Sequence, residues 1–298
     1  MSIGAGVING VLALLLAPMF EGVVRKVKAI IHSRQGPPLL QPYIDIMKLF
    51  GKEDLRCASS IIFRFAPAGT LAVYLVVALI TPMGLPGVGL GGDMITWFFF
   101  MILGLVALII MAASSGNPFA ETGAAREIML LLSVEPIVVA GLITAAMKSG
   151  GLQLTDMMAW NLTHGPSISM IFAGIALFLA FQPLLSKMPS EMAEADMETA
   201  EGLFMEQSGP NLALIKIALL IRQMVYCFLL VQVFVPWPAI GAWPLSVCAS
   251  FAKVLIVFVL ATVVNVVCPR LRVDQAVSYM GKVLIIALAA IALASFGL

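Results

Sequence analysis

Apolar runs of about twenty residues recur along the whole chain, and each is long enough to cross ~30 Å of hydrocarbon as a helix. Eight spans are expected, at residues 3–24, 61–83, 95–114, 127–147, 167–187, 212–234, 244–266 and 277–297. A backbone in lipid must pair its own N–H and C=O groups, which only helices and closed barrels achieve. A barrel would show short segments of alternating polarity; these runs are continuously apolar. The chain is 61% hydrophobic and 11% charged, against about 25% charged in soluble domains. Its mean hydropathy is +1.05. The expected fold is all-α, a polytopic membrane helix bundle forming a single integral membrane domain over residues 1–298. The first run lacks a basic n-region and a small-residue cleavage site, so it is expected to persist as a helix.

The basic residues are unevenly placed. Arg25, Lys26, Lys28, Arg34, Lys48, Lys52, Arg56 and Arg64 fall in or beside the first inter-span loop. Arg126 marks the third loop, Lys187 and Lys216 flank the fifth, and Arg270, Arg272 and Lys282 mark the seventh. The even loops hold only Lys148. The positive-inside rule then puts the odd loops in the cytoplasm and both termini outside, in a cytoplasmic (inner) membrane. The cytoplasmic surfaces are expected at about 25–60, 115–126, 187–211 and 267–276.

The segment "HSRQGPPLLQPYIDIMKLFGKED" (32–54) is crowded with charge, proline and glutamine. At 100° per residue, Leu39, Leu40, Tyr43, Ile44, Ile46, Met47 and Phe50 share one broad face, and Asp45, Lys48 and Lys52 lie on the other. That predicts an amphipathic helix lying in the interface. Pro42 stands in its first turn, where the missing N–H is harmless. Arg34-Gln35-Gly36-Pro37-Pro38 gives a stiff turn before it.

Ionisable residues inside spans are costly and usually mark ion paths. Glu127 lies at the cytoplasmic end of the fourth span. Glu135 lies about two turns deeper, before Pro136, which removes a backbone N–H and can open room for water. Glu191, Glu194, Glu198 and Glu201 in the fifth loop are spaced to share an arc if helical, with Asp196 nearly opposite. Like charges so placed repel and raise some of their pKa values. Arg222 and Lys253 each lie about ten residues into a span; either could pair with a carboxylate, and a movable Lys–Glu pair would be a switch. Glu21 is expected beside Arg25. The scattered cysteines form no CxxC pair, so no metal or cluster is expected in this chain. No nucleic-acid partner is expected.

The stretch "RQGPPLLQPYIDIMKLFGKED" resembles a signature of the eight-helix membrane subunit shared by respiratory complex I and the membrane-bound [NiFe] hydrogenases, formate hydrogenlyase among them. "SGNPFAETGAAREIMLLLSVEP" (115–136) and "KMPSEMAEADMETAEGLFMEQSGP" (187–210) are similar to two further family loops, in the same order. Pro38-Leu39-Leu40-Gln41 follows without the insertion usual in complex I members, which favours the hydrogenase branch. Ser190 stands where the family usually has Phe, and Glu191 where it usually has Asp.

The resemblance implies a core subunit that couples electron transfer in its partners to proton or sodium movement. The partners would be a [NiFe] large subunit, small Fe–S subunits and antiporter-like membrane subunits, and the [NiFe] centre and Fe–S clusters would belong to them. It implies docking through Arg34, Gly36, Pro37, Gln41, Asp45, Lys48 and Arg126. The expected ion path runs through Glu127, Glu135, Glu191, Glu194, Asp196, Glu198, Glu201, Arg222 and Lys253. The rivals are a quinone-site subunit of a complex I-type dehydrogenase, a stand-alone secondary transporter and a pure scaffold.

Overall fold

The computed structural model describes residues 3–55, 57–58, 60–83, 92–186, 202–238 and 245–297, without the side chains of Ile3 and Ala5. Among the described residues ten α-helices follow one another: α1 (Ile3–Ile31), α2 (Gln41–Phe50), α3 (Ile61–Ile80), α4 (Met94–Ala113), α5 (Pro118–Ser149), α6 (Leu154–His164), α7 (Ile168–Leu184), α8 (Gly209–Phe234), α9 (Leu245–Val267) and α10 (Val273–Ser295). A 3₁₀ turn, Gly202–Phe204, precedes α8. The described residues thus form an all-α polytopic bundle, as the apolar runs require.

Seven of these helices, α1, α3, α4, α5, α8, α9 and α10, are long and apolar enough to cross a membrane. The remaining expected span is α7, with 17 residues. At 1.5 Å per residue it reaches about 25 Å, the short end of a crossing helix.

Two helices outrun their apolar segments. α1 continues through the basic cluster to Ile31, and α5 starts at Pro118. Local chemistry explains the second start. Asn117 Oδ1 accepts from the Phe119 N–H at 2.9 Å, Pro118 occupies the first turn and Glu121 faces its positive end; each favours a helix start.

α8 is the axis of the bundle. It packs against α1, α2, α3, α6, α7 and α9, and every residue from Ile221 to Phe234 is buried. A helix apolar on all sides must be enclosed. α9 and α10 are only 28% buried over their most apolar stretch, against 72% for α8, so their outer faces meet lipid or other membrane helices.

The amphipathic helix forms as α2, with Pro42 in its first turn. Leu40, Ile44, Met47 and Phe50 stay exposed, in keeping with an interfacial site. α2 folds back along α1. The Tyr43 hydroxyl donates to the Leu15 carbonyl, and Gly22 lets Leu39 approach so closely that a Cβ there would lie 2.1 Å from the Leu39 oxygen. Arg25 on α1 closes the contact with Asp45 at 2.9 Å.

Candidate functional site

A line of polar groups runs through the bundle beside α8. Arg222, 2% exposed, is its most deeply set cation. Its Nη2 donates to Ser186 Oγ at 2.9 Å, just past the end of α7. The Tyr74 hydroxyl, brought by α3, sits beside the same guanidinium. Glu127, on α5, lies within electrostatic reach of Arg222 and Tyr74. One turn along α8, Tyr226 faces Tyr74, Glu127 and Glu135. The space for the Tyr74 ring is made by Gly104, whose Cβ would lie 2.6 Å from that ring.

Beyond Tyr226 the line reaches Glu135. A small cavity of ≈ 10 Å³, bounded by Glu135, Tyr226, Trp97 and apolar neighbours, leaves room for about one water. α5 passes Pro136 as a single helix. Trp97 forms part of the wall of this cavity. Its ring meets Tyr226 edge-on at 5.7 Å, and its Nε1 donates to Thr81 Oγ1 at 2.9 Å. Thr81 Oγ1 donates onward to the Val77 carbonyl at 2.8 Å, and Asn9 Nδ2 donates to the Thr81 carbonyl at 3.2 Å.

At the Arg222 end the line adjoins a cavity of ≈ 470 Å³ between α1, α2 and α8, with Ser186 and Gln223 on its wall. Ser186 therefore touches both the cavity and Arg222. Arg222 cannot lose its proton in a protein. It supplies a fixed positive charge within electrostatic reach of Glu127.

Beside this line, three expected cytoplasmic segments are sewn together. The Ser208 Oγ accepts from the Leu55 N–H at 3.0 Å and donates to the Leu55 carbonyl at 2.8 Å. Asn211 Nδ2 donates to Asp54 at 3.1 Å, and the Asn117 amide donates to Glu206. The Cys57 thiol also donates to Glu206. That bond and the Asn117 bond hold the Glu206 carboxyl below the usual carboxylate range, while Glu206 pushes the Cys57 thiol up.

The sequence-predicted residues divide accordingly. Glu127, Glu135 and Arg222 come together on the polar line. Lys253 does not. Its ammonium donates to the Pro236 and Pro238 carbonyls, and among the described residues no carboxylate takes part in that contact. A Lys–Glu switch at this position is thus replaced by a tie to the loop after α8. Glu191, Glu194, Asp196, Glu198 and Glu201 lie outside the described residues.

Of the expected docking set, Arg34 is exposed, and Gly36 and Pro37 are half-buried against the end of α1. Gln41 donates to Asp45 at 2.9 Å. The Arg25 guanidinium, helped by Gln41, holds the Asp45 carboxyl below its ordinary range. Both residues thus help fasten α2 to α1. Lys48 lines the cavity between α1, α2 and α8, and Arg126 is half-buried one residue before Glu127. Sequence reasoning missed Tyr74, Tyr226, Ser186 and Trp97. The spacing of Arg222 and Tyr226, four apart on one helix face, was a usable signal.

The family model described as NADH dehydrogenase matches residues 4–295. Hydrogenase-4 component C of Escherichia coli is 33% identical over 269 residues, covering 86% of this chain and 84% of that protein. Formate hydrogenlyase subunit 4 of Escherichia coli is 31% identical, covering 92% of each. An NADH-quinone oxidoreductase subunit of Rubrobacter xylanophilus is 27% identical, covering 92% of this chain and 88% of that one. Among solved structures, a chain of the membrane-bound sulfane sulfur reductase, an archaeal respiratory membrane complex, superposes with a TM-score of 0.90 at 26% identity. That match covers 99% of this chain and 100% of the other.

Proposed function

This chain belongs to the NADH dehydrogenase family, and we propose that within it the bundle is the ion-translocating membrane anchor of a hydrogenase-type respiratory complex. It is a multi-pass membrane protein, and it stands nearer the hydrogenase-type relatives, at 33% and 31% identity, than the NADH-quinone oxidoreductase relative at 27%. In this reading the partners are a [NiFe] large subunit, Fe–S subunits and antiporter-like membrane subunits. The redox centres belong to those partners. The seam that joins residues 54–57, Asn117 and 206–211 is the cytoplasmic footing for the soluble arm, and both chain termini lie outside.

One observation carries the reading: buried Arg222 is linked through Ser186 to the cavity between α1, α2 and α8 and lies within electrostatic reach of Glu127. A proton entering the cavity reaches Glu127 and neutralises it. The Arg222 charge then loses its counter-charge, which favours re-ionisation. The released proton has the Tyr74 and Tyr226 hydroxyls and the water-sized cavity at Glu135 as its next stations. Trp97, a donor only, cannot relay it further outward, so the path turns at Glu135 toward a neighbouring subunit.

The test uses the whole complex in sealed inverted vesicles. Glu127→Gln and Glu135→Gln should assemble, retain hydrogen evolution when uncoupled and lose at least ten-fold in ion translocation, a loss worth about 1.4 kcal/mol or more in barrier. A protonophore and a sodium ionophore applied in turn identify the ion. Undiminished translocation in both variants would overturn the path. Nickel-free complexes with quinone reductase activity would move the chain to the quinone-linked branch.

A further inference from the structure

We propose that the groove between α7, α8 and α9 seats one acyl chain of an anionic phospholipid, with the phosphodiester on Lys253. Three observations point to it. The first is shape. A groove of ≈ 580 Å³ runs from Met170 to Phe178 along α7 and from Lys253 to Leu260 along α9, with α8 as its floor. Its rims, Ile171, Ile175, Ile256 and Leu260, are exposed, so it opens toward the membrane. Eight helical rises make it about 12 Å long, most of the ~15 Å depth of one leaflet. A transmembrane helix about 10 Å across would fill about 950 Å³ over that length. It could lie over the groove but not in it, whereas an acyl chain enters.

The second is charge. Among the described residues Lys253 is the one charged group on the wall. Its Cα lies about 12 Å along α9 from Leu245. The side chain leans toward the helix start, and its ammonium reaches the Pro236 carbonyl, just past the last turn of α8. The stem thus lies along apolar surface and the head at the membrane interface. Trp237, which also lines the groove, is of a type enriched at that level. The Pro236 and Pro238 carbonyls accept two of the three ammonium protons. They are dipoles and leave the net charge in place. Among the described residues no carboxylate oxygen lies within 4.0 Å of this ammonium. The chain has no acidic residue anywhere between Glu206 and Asp274. A phosphodiester supplies the counter-charge and accepts the third proton.

The third is the rest of the wall. Below Lys253 the groove is lined by aliphatic and aromatic side chains and by Gly174, which stands over Phe234. Water entering there finds no set of polar partners, so hydrocarbon fills the space. Lipid chains are as apolar as this wall, and the chain alone therefore selects nothing. The contact at Lys253 decides which lipid stays. The proposal is independent of the ion path, because Lys253 plays no part in the Ser186–Arg222–Glu127 line.

The intact complex is placed in nanodiscs of phosphatidylglycerol and phosphatidylcholine in equal shares. In separate samples one or the other lipid carries a photoreactive diazirine in its acyl chain. After illumination, lipid adducts on residues 170–178 and 256–260 are mapped by mass spectrometry and normalised to those on exposed Ile285 and Leu288 of α10. Wild type, Lys253→Met, Lys253→Arg and Gly174→Phe are compared, each shown to be assembled on a native gel. In the wild type the phosphatidylglycerol probe should label about fivefold more than the phosphatidylcholine probe, the advantage one positive charge gives near a membrane surface. Lys253→Met should equalise the two probes, and Lys253→Arg should keep the preference. Gly174→Phe, whose ring occupies the groove, should lower labelling by both. Equal labelling by the two probes in the wild type, or an undiminished preference in Lys253→Met, overturns the proposal. Absence of lipid adducts in the groove, with a photoreactive residue at position 175 cross-linking to another subunit instead, would assign the groove to a partner helix and also overturn it. Failure of this test leaves the translocation reading untouched, since that is read by Glu127→Gln and Glu135→Gln.

Discussion

Gly22→Ala tests how tightly α2 is held against α1. The new Cβ would lie 2.1 Å from the Leu39 oxygen and 3.0 Å from its carbonyl carbon. Carbon–oxygen contacts normally begin near 3.3 Å, so Leu39 must retreat by about 1.2 Å. The obstacle is backbone, and no rotamer change relieves it. Overpacking of this sort costs about 2–3 kcal/mol. Alanine in a helix interior returns up to ~1 kcal/mol over glycine. The balance is about 1–2 kcal/mol against the variant. The same retreat, carried along α2, stretches Arg25–Asp45 from 2.9 Å to about 4 Å, beyond hydrogen-bonding reach. Gly281 is the control, because a Cβ there meets nothing within 4 Å. Thermal unfolding in nanodiscs should show Gly22→Ala a few degrees below wild type and Gly281→Ala at or above it. Amide exchange should rise selectively over residues 39–50. A Gly22→Ala protein that melts with wild type and protects α2 equally would refute the reasoning.

The Asp45 clasp makes α2 pH-sensitive. Its carboxyl is held low by Arg25, so its contribution is complete above the ordinary aspartate range and fades as pH falls through the lowered folded value. Exchange protection of α2 should drop on acidification below about pH 4, and Asp45→Asn should remove that dependence while weakening protection at neutral pH. In the seam that joins residues 54–57, Asn117 and 206–211, Glu206 raises the Cys57 thiol and so reduces its thiolate fraction. Glu206→Gln should speed Cys57 alkylation at pH 8 several-fold, followed on the Cys57 peptide by mass spectrometry; an unchanged rate would remove the thiol–carboxylate bond from the account.

The spans were legible because lipid leaves the backbone so little choice. What hydropathy cannot see is where a helix ends in water. The Arg25-Lys26-Val27-Lys28 cluster ends the apolar run but not α1, and residues 118–126 of α5 are helical through capping at Asn117. Arg222 was visible as a charge inside a span. Tyr74 and Tyr226 were not, because an aromatic ring in an apolar run reads as core until a neighbouring guanidinium faces it. Lys253 was visible too, yet its partners are main-chain carbonyls of Pro236 and Pro238, and carbonyls leave no trace in a residue sequence. Asp45 and Gln41 were expected at a partner surface; their first bonds are to Arg25 and to each other.

α5 has a mechanical consequence. Its 32 residues make a rod about 48 Å long, well beyond the ~30 Å of hydrocarbon. The overhang is anchored at Asn117 to Glu206, within the seam that joins residues 54–57, Asn117 and 206–211. From there to Glu127 the helix contains no proline after Pro118, so its backbone hydrogen bonds run uninterrupted to Glu127. Between Glu127 and the end of α5 lies the turn where Pro136 leaves the Leu132 carbonyl without its helical donor. The helix thus ties the Asn117 anchor to Glu127 through an unbroken ladder of backbone bonds, and reaches Glu135 only across the turn that lacks one.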